Sequence, residues 1–420
     1  MAVFDRRKQV DELIDSIGDH RIKIITGIRR CGKTYLLKNL LPAKLKEKGF
    51  VASTSDVLVI EMNGKNKNIK TKNQLIAFLT NKTNKGKPFI VIDEIQKIPQ
   101  FHEVLIAYLQ NHPKKEIFVT GSNSQILSGS IVRDFQENGL EIHLAPLTFE
   151  EIRESIPDYD VDDYLKYGGL PFIVNEKPEK KEPELRKIYA ELYEADIKER
   201  MKNQFPNLSK KKVLEILKAI FSTTNEVSIK GIVTRLTKGI DPSRFDDLEL
   251  SKEVEDAIQM LADAYLIQEY ENDSFDGLNI LKNLGLNKKY YCTDNGLLFI
   301  NCEDDNRVDG IVMENAIYLY LLSKGINARG KVLLGRKGER IGEVDFNCRI
   351  GSTDWHIQST YDYHDGDYER EIGNLLRFED CSKKLLVYRK DSATLPREPR
   401  VDYVDCETFL LEGEEIFKLF

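Results

Sequence analysis

The sequence predicts an α/β protein, and three observations carry the prediction. Between Arg21 and Leu144, short apolar runs alternate with helical patterns, the arrangement that builds a parallel sheet covered on both faces. A glycine-rich loop, Gly27–Thr34, joins the first apolar run to the first helical pattern. An Asp-Glu pair, Asp93-Glu94, ends a later run, at the strand end where α/β proteins bind ligands.

Taken in order, Arg21–Thr26 is the first expected strand, and Tyr35–Lys48 is a helix ended by Gly49. Val57–Met62, Phe89–Ile92, Glu116–Thr120 and Glu141–Leu144 are further strands, with helices at Asn73–Thr80 and Phe101–Asn111 between them. Asn175–Pro183 is polar and carries two prolines, so a linker is expected there. A charged helix follows over Glu184–Gln204. Helices at Lys210–Thr223, Ser228–Leu236 and Leu250–Ala264 are then closed by β-like runs at Leu266–Tyr270 and Lys288–Cys292. Three helices and a hairpin describe a winged helix-turn-helix. The last region places a helix at Val308–Lys324 before strands at Lys331–Leu334, Glu343–Ile350 and Trp355–Tyr363. A helix at Tyr368–Phe378 and a strand at Lys384–Arg389 complete a second α/β unit. The expected domains are residues 1–180, 181–300 and 301–420.

Composition bounds the function classes. A chain of 420 residues suits two or three domains, and 41% hydrophobic with 31% charged residues excludes global disorder. No apolar run reaches the length of a bilayer span, and the charged N-terminus lacks a signal-peptide core, so no membrane partner and a cytoplasmic setting are expected. Six cysteines stand apart at positions 31, 292, 302, 348, 381 and 406, a pattern of neither disulfides nor zinc. A net charge of −7 argues against general coating of nucleic acid. The lysine-rich stretch 64–87, with Lys65, Lys67, Lys70, Lys72, Lys82, Lys85 and Lys87, reads as solvated surface.

The loop Gly27-Ile-Arg-Arg30-Cys31-Gly32-Lys33-Thr34 matches G-x-x-x-x-G-K-[ST] between a strand and a helix. Its glycines let backbone N–H groups wrap phosphates, and the helix start adds a favourable dipole. Lys33 would neutralise the β- and γ-phosphates, Thr34 would offer its hydroxyl to Mg²⁺, and Tyr35 is a further nucleotide-binding candidate. Asp93 would hold the Mg²⁺ shell and Glu94 would polarise the attacking water. After the next strand, Thr120-Gly-Ser122-Asn123 offers Asn123, then Ser122, to orient that water, with a plain turn as the alternative reading. ATP and Mg²⁺ are the expected ligands.

These residues carry a resemblance. GIRRCGKT, FIVIDEIQKIP, TGSNSQIL and LAPLTFEEI leading to YGGLPFIV are spaced as in the bacterial and archaeal AAA-type ATPases with a C-terminal domain of unknown function. ADIKER at Ala195–Arg200, YYCTDNGL at Tyr290–Leu297 and GEVDF at Gly342–Phe346 extend the likeness over the whole chain. The resemblance implies ATP binding with slow hydrolysis and a C-terminal domain of restriction-endonuclease-like fold. One departure stands out: relatives carry a Gly-Arg pair where this chain has Glu137-Asn138, with Arg133 nearby. A charge that would act on a neighbour's nucleotide is therefore missing at that position.

Nucleases of that fold gather a helix Glu, a strand Asp and a Glu/Asp-x-Lys pair around metal ions. Here Glu314 and Asp345 fill the first two places. Gln358 stands in the acid's place and Thr360 in the lysine's, so a vestigial nuclease site is expected. Arg370 and Glu371 on the next helix read as an ion pair. In the winged-helix segment, Asp246, Asp247, Glu249, Glu253, Glu255, Asp256 and Asp263 outweigh Arg244 and Lys252, which disfavours a DNA groove and favours a protein partner. Lys210, Lys211 and Lys212 read as helix surface. Three functions follow. The first is an ATPase that switches the C-terminal modules, the second an ATP-gated nuclease, and the third a non-hydrolytic ATP-bound scaffold. The oligomeric state is left open by the sequence.

Overall fold

Continuous apolar runs belong in the middle of a parallel sheet, and the chain places them there. The computed structural model describes residues 2–83, 87–121, 135–198, 201–202, 209–221, 229–237, 247–274, 288–302, 307–334, 340–364, 367–380, 382–390 and 395–419. Strands β1 (Ile22–Thr26), β2 (Leu58–Glu61), β3 (Phe89–Asp93), β4 (Glu116–Thr120) and β5 (Gly139–His143) form one sheet in the order β2-β3-β4-β1-β5. Every pairing in it is parallel. β1, β3 and β4 are buried at each position, whereas β2 and β5 lie at the edges and alternate with half-buried or exposed residues.

Lys23, in the middle of β1, is fully buried. Its ammonium is neutralised by Asp19 at 2.9 Å and by Glu116 at the start of β4, as a buried charge requires. One face of the sheet, with Ile22, Ile24, Ile90, Ile92, Ile117 and Val119, packs under the helices Lys72–Thr83 and Phe101–Asn111. The other face, with Ile25, Val91 and Phe118, meets the helix that follows the glycine-rich loop over residues 33–47. That core continues without a break through Leu185, Ile216, Leu261 and Ile317 to Phe409.

The expected linker Asn175–Pro183 is a correction. A helix begins inside it and runs Pro178–Leu192, followed by a π turn at Tyr193–Ile197. Pro178 occupies the first helical position, where its fixed φ is favourable and its missing N–H costs nothing. Lys181 then anchors the segment: it is buried, donates to Tyr159 and pairs with Asp163 at 2.7 Å.

The second sheet has the order β12-β11-β10-β9-β8-β6-β7, from β6 (Ile267–Ser274), β7 (Lys288–Cys292), β8 (Ala328–Leu334), β9 (Arg340–Ile350), β10 (Thr353–Asp362), β11 (Lys383–Lys390) and β12 (Asp402–Asp405). β6 pairs antiparallel with β7 over Ile267–Glu271 and parallel with β8 over Asn272–Ser274. The hairpin and the C-terminal strands therefore share one sheet. Helices at Lys210–Phe221, Ile229–Leu236 and Asp247–Asp263 precede the hairpin. Arg244 and Asp246 lie outside the described residues. The C-terminal helix Cys406–Leu419 closes the fold, with Phe417 edge-on to the fully buried Trp355.

Candidate functional site

The glycine-rich loop leaves β1 and turns sharply under β5. Gly27 has φ +132°, and a Cβ there would stand 2.1 Å from the Leu144 carbonyl oxygen, so no other residue fits. Gly32 (φ +109°) caps the helix of residues 33–47, and Arg30 holds φ +71° between the two glycines. Cys31 is buried, and its carbonyl oxygen accepts from Arg6 Nη2 at 2.9 Å. Arg6 is itself buried and reaches Ala145 O and Glu151 as well, so the N-terminal segment braces the loop from beneath. Lys33 Nζ donates to the Gly27 and Ile28 carbonyls at 2.6 and 2.8 Å, which puts its charge inside the loop's curve. Tyr35 is exposed at the start of the helix.

Asp93 ends β3, two strands away from β1, and the loop closes that gap. Asp93 Oδ1 accepts from Thr34 Oγ1 at 2.9 Å and from Thr120 Oγ1 at 2.6 Å. Thr120, at the end of the intervening β4, also accepts from the Glu94 backbone N–H at 3.1 Å. Glu94 sits in the left-handed region at φ +62°, and its carboxylate accepts from Gln96 Nε2. Strained backbone of this kind at Arg30 and Glu94 persists only where the surroundings hold it. Thr34 and Asp93 offer adjacent hard oxygen donors, which suits an ion such as Mg²⁺ that takes one or two protein ligands and draws the rest from phosphates and water. Thr120 was not among the sequence candidates, although a polar residue ending a buried strand was its signal. Ser122, Asn123 and Arg133 lie outside the described residues.

The C-terminal candidates also meet. Gln358 Nε2 donates to Asp345 Oδ1 at 3.3 Å and to Glu371 Oε2 at 3.2 Å, while Ser359 N and Oγ donate to Asp345 Oδ2. Glu314 accepts from Tyr291 OH at 2.7 Å and from Lys289 Nζ, which arrives from β7 of the hairpin. Arg370 pairs with Glu371 at 2.7 Å. The carboxylates are thus met by an amide, hydroxyls and cations of the chain itself, and among the described residues no group of acids, His and Cys is arranged to hold a metal.

Burial pushes the Glu314 carboxyl up to about 7 against the pull of Lys289, and burial pushes Glu371 up to about 7 against Arg370. A carboxyl raised on folding stabilises the fold in full below its unfolded pKa of about 4.5 and loses that contribution as pH rises through about 7. The melting temperature is therefore expected to fall between pH 5 and pH 8 through these groups. Glu371→Gln should flatten that fall in a thermal-melt series, because its partner Arg370 is mostly solvated and is not stranded. An unchanged slope would remove Glu371 from the account.

A separate cavity of about 660 Å³ lies behind the loop, between the N-terminal segment and the C-terminal modules, lined by Arg6, His143, Thr148, Glu151, Asp294 and Lys324. Its charges are mostly paired, Arg6 with Glu151 and Lys324 with Glu150 and Glu414. Among the lysines at the start of the Lys210–Phe221 helix, Lys212 pairs with Glu253 and Lys211 with Glu215. No helix among the described residues is long and apolar enough to cross a membrane.

Comparison with known proteins agrees with the loop geometry. Residues 19–153 match the family model of an AAA domain, and residues 158–301 match a domain of unknown function (DUF8612). Neither of these two models reaches residues 302–420. An uncharacterized protein of Haemophilus influenzae is 25% identical over 401 residues, covering 93% of this chain and 94% of its own. An uncharacterized protein of Methanocaldococcus jannaschii, MJ1544, is 25% identical over 397 residues, covering 89% and 83%. Among solved structures, the Walker-type ATPase PABY2304 of Pyrococcus abyssi is similar at 17% identity and a TM-score of 0.45, over 71% of this chain and 96% of that one. The AAA match and the parallel sheet support an AAA-type nucleotide-binding domain in the N-terminal part of the chain.

Proposed function

We propose that the chain is a Mg²⁺-dependent ATPase whose nucleotide state sets the position of its C-terminal modules. The observation that carries this reading is the junction of Thr34, Asp93 and Thr120 on one carboxylate oxygen, beside Lys33 inside a complete phosphate loop. Thr34 and Asp93 would hold Mg²⁺, which when bound neutralises phosphate charge. Gly27, Arg30, Cys31, Gly32 and Lys33 would wrap the phosphates, and Tyr35 would border the nucleotide. Glu94 would accept the proton of a water whose oxygen bonds to the γ-phosphorus, as the bond to the bridging oxygen breaks and ADP leaves with the electron pair. Asn123 keeps its proposed part in orienting that water.

The finer architecture belongs to the same reading: an AAA-type domain over 1–180, a winged-helix-like module over 181–300 and a restriction-endonuclease-like module over 301–420. Lys289 pairing with Glu314, and the Gln358 amide lying between Asp345 and Glu371, support a module that binds rather than cuts. The acidic helix Asp247–Asp263 favours a protein partner over DNA. The test is equilibrium binding of a fluorescent ATP analogue with Mg²⁺ by the full chain. Lys33→Ala is expected to weaken binding by at least about tenfold, the value of one lost charge-assisted contact. Equal binding by the variant would sink the nucleotide reading. Metal-dependent DNA cleavage lost in Asp345→Ala would install the nuclease instead.

A further inference from the structure

Two consecutive arginines of the phosphate loop are tied to one helix. Arg29 Nε and Nη2 donate to the two carboxylate oxygens of Asp196 at 2.9 and 3.0 Å, and Arg30 Nη2 donates to Glu191 at 2.7 Å. Glu191 lies at the end of the Pro178–Leu192 helix and Asp196 in the π turn that continues it. The two arginine ties differ in kind. The Arg30–Glu191 pair is exposed, with side chains 46% and 35% accessible, and such a pair contributes little. Asp196 is 3% accessible, so its charge is almost fully withdrawn from water and depends on Arg29. Lys33 and Glu94 are the next charges in the field of Asp196, and Glu94 is also in the field of Arg29. A bidentate guanidinium therefore stands among the residues proposed to hold and hydrolyse the triphosphate.

A guanidinium fork fits phosphate oxygens as well as it fits a carboxylate. Arg29 belongs to the loop that would wrap the phosphates, so a triphosphate brings a second, more highly charged acceptor to the group that now serves Asp196. A diphosphate brings less charge and does not extend to the γ position.

We infer that Arg29 is a ligand of the terminal phosphate supplied by the loop itself, with Asp196 as its alternative partner, so that triphosphate binding loosens the Arg29–Asp196 tie. The inference rests on the ATP reading and adds to it a route for the switch: Asp196 sits in the π turn that continues the Pro178–Leu192 helix, ahead of the helix Lys210–Phe221 in the chain. A triphosphate frees the end of that helix, and loss of the terminal phosphate restores the tie. Asp196 is a positioning residue in this scheme, because it acts through Arg29.

The test is titration calorimetry of the full chain with a non-hydrolysable ATP analogue and with ADP, both with Mg²⁺. Arg29→Ala is expected to weaken the ATP analogue by about tenfold or more and ADP by less than about threefold, since only the former carries the proposed contact. Asp196→Asn keeps the side-chain shape and removes the competing charge, so it is expected to raise the preference for the ATP analogue over ADP. Arg29→Ala strands a buried carboxylate. If that variant does not fold, the double variant R29A/D196N removes both charges and reads the same ratio. Equal weakening of both nucleotides, or an unchanged ratio in Asp196→Asn, overturns the inference. Lys33→Ala run alongside separates the two claims: normal binding there removes the ATP reading itself, whereas its loss with an unchanged ratio in the Arg29 variant removes only the role of Arg29.

Discussion

Replacing Glu94 with Gln is expected to lower Mg²⁺-dependent ATP turnover by about 10²–10⁴-fold, the usual contribution of a positioned general base. Binding of ATP should stay within about threefold of the native chain, well below the roughly tenfold that a lost charged contact costs. The geometry is what makes the two readouts separable. Glu94 follows Asp93 at the end of β3, but its backbone is turned into the left-handed region and held by an N–H bond to Thr120. Its carboxylate contacts Gln96, whereas the Thr34–Asp93–Thr120 junction is built on Asp93 Oδ1. Glutamine keeps the volume and a carbonyl for Gln96, and loses the ability to accept a proton together with the negative charge that faces Arg29 and Asp196. Steady-state phosphate release measured beside nucleotide titration checks both halves. Unchanged turnover in the variant, at a rate that Lys33→Ala abolishes, would move the base elsewhere. No turnover in either chain, with ATP still bound, would leave a ligand-gated scaffold.

How much of this was legible depends on sequence distance. The geometry of the glycine-rich loop was legible because it is local: two glycines at fixed spacing force the turn, and Lys33 folds back into its curve. The place of Asp93 was legible because the apolar run Phe89–Ile92 marks a buried strand that the acid ends, and the structure sets it against Thr34. Thr120 was not, because its hydroxyl matters only once β4 is known to lie between β1 and β3, and strand order is a property of the whole sheet. The Arg29–Asp196 tie spans 167 positions, and no pattern in either segment announces the other. Two prolines read as a linker at Asn175–Pro183, where burial of Lys181 and a favourable first helical position for Pro178 outweighed the breaker signal. At the C-terminal cluster, Glu314, Asp345 and Gln358 were legible as a group. Lys289 was not, because it reaches Glu314 from β7 of the hairpin, a strand whose place beside the helix is set by the whole sheet.

The motif around Asp294 shows what such long-range pairing does for stability, and Asp294→Ala is expected to destabilise the protein by about 3–5 kcal/mol, from several buried donors at roughly 1–3 kcal/mol each. The segments YGGLPFIV and YYCTDNGL interlock. Asp294 Oδ2 accepts from the Gly169 N–H at 2.9 Å, and Oδ1 caps its own helix through the Leu297 N–H at 3.1 Å. Gly296 and Leu170 add further backbone donors. The glycines are there for clearance: a Cβ on Gly168 would stand 2.5 Å from the Asp294 oxygens, and one on Gly296 would stand 2.3 Å from the Tyr167 carbonyl oxygen. Burial raises the Asp294 carboxyl to about 6 in spite of these donors, so part of its contribution is lost as pH rises through that value. Alanine removes every acceptor at once, whereas Asp294→Asn keeps one carboxamide oxygen and should cost about 1–2 kcal/mol, near one unmade bond. Urea midpoints of the native chain and both variants at pH 7 test the order, and equal midpoints would show that the joint does not stabilise the fold. The position of the joint also constrains the proposed switch. It fastens the loop below Leu147, whose N–H donates to the Gly169 carbonyl at 2.8 Å, to the helix Asn295–Cys302 that leads into the C-terminal region. A buried, multiply bonded joint is a poor hinge, so under the proposed switch any motion would pass beside it, and the tie between Arg29 and Asp196 is the loop contact proposed to carry it.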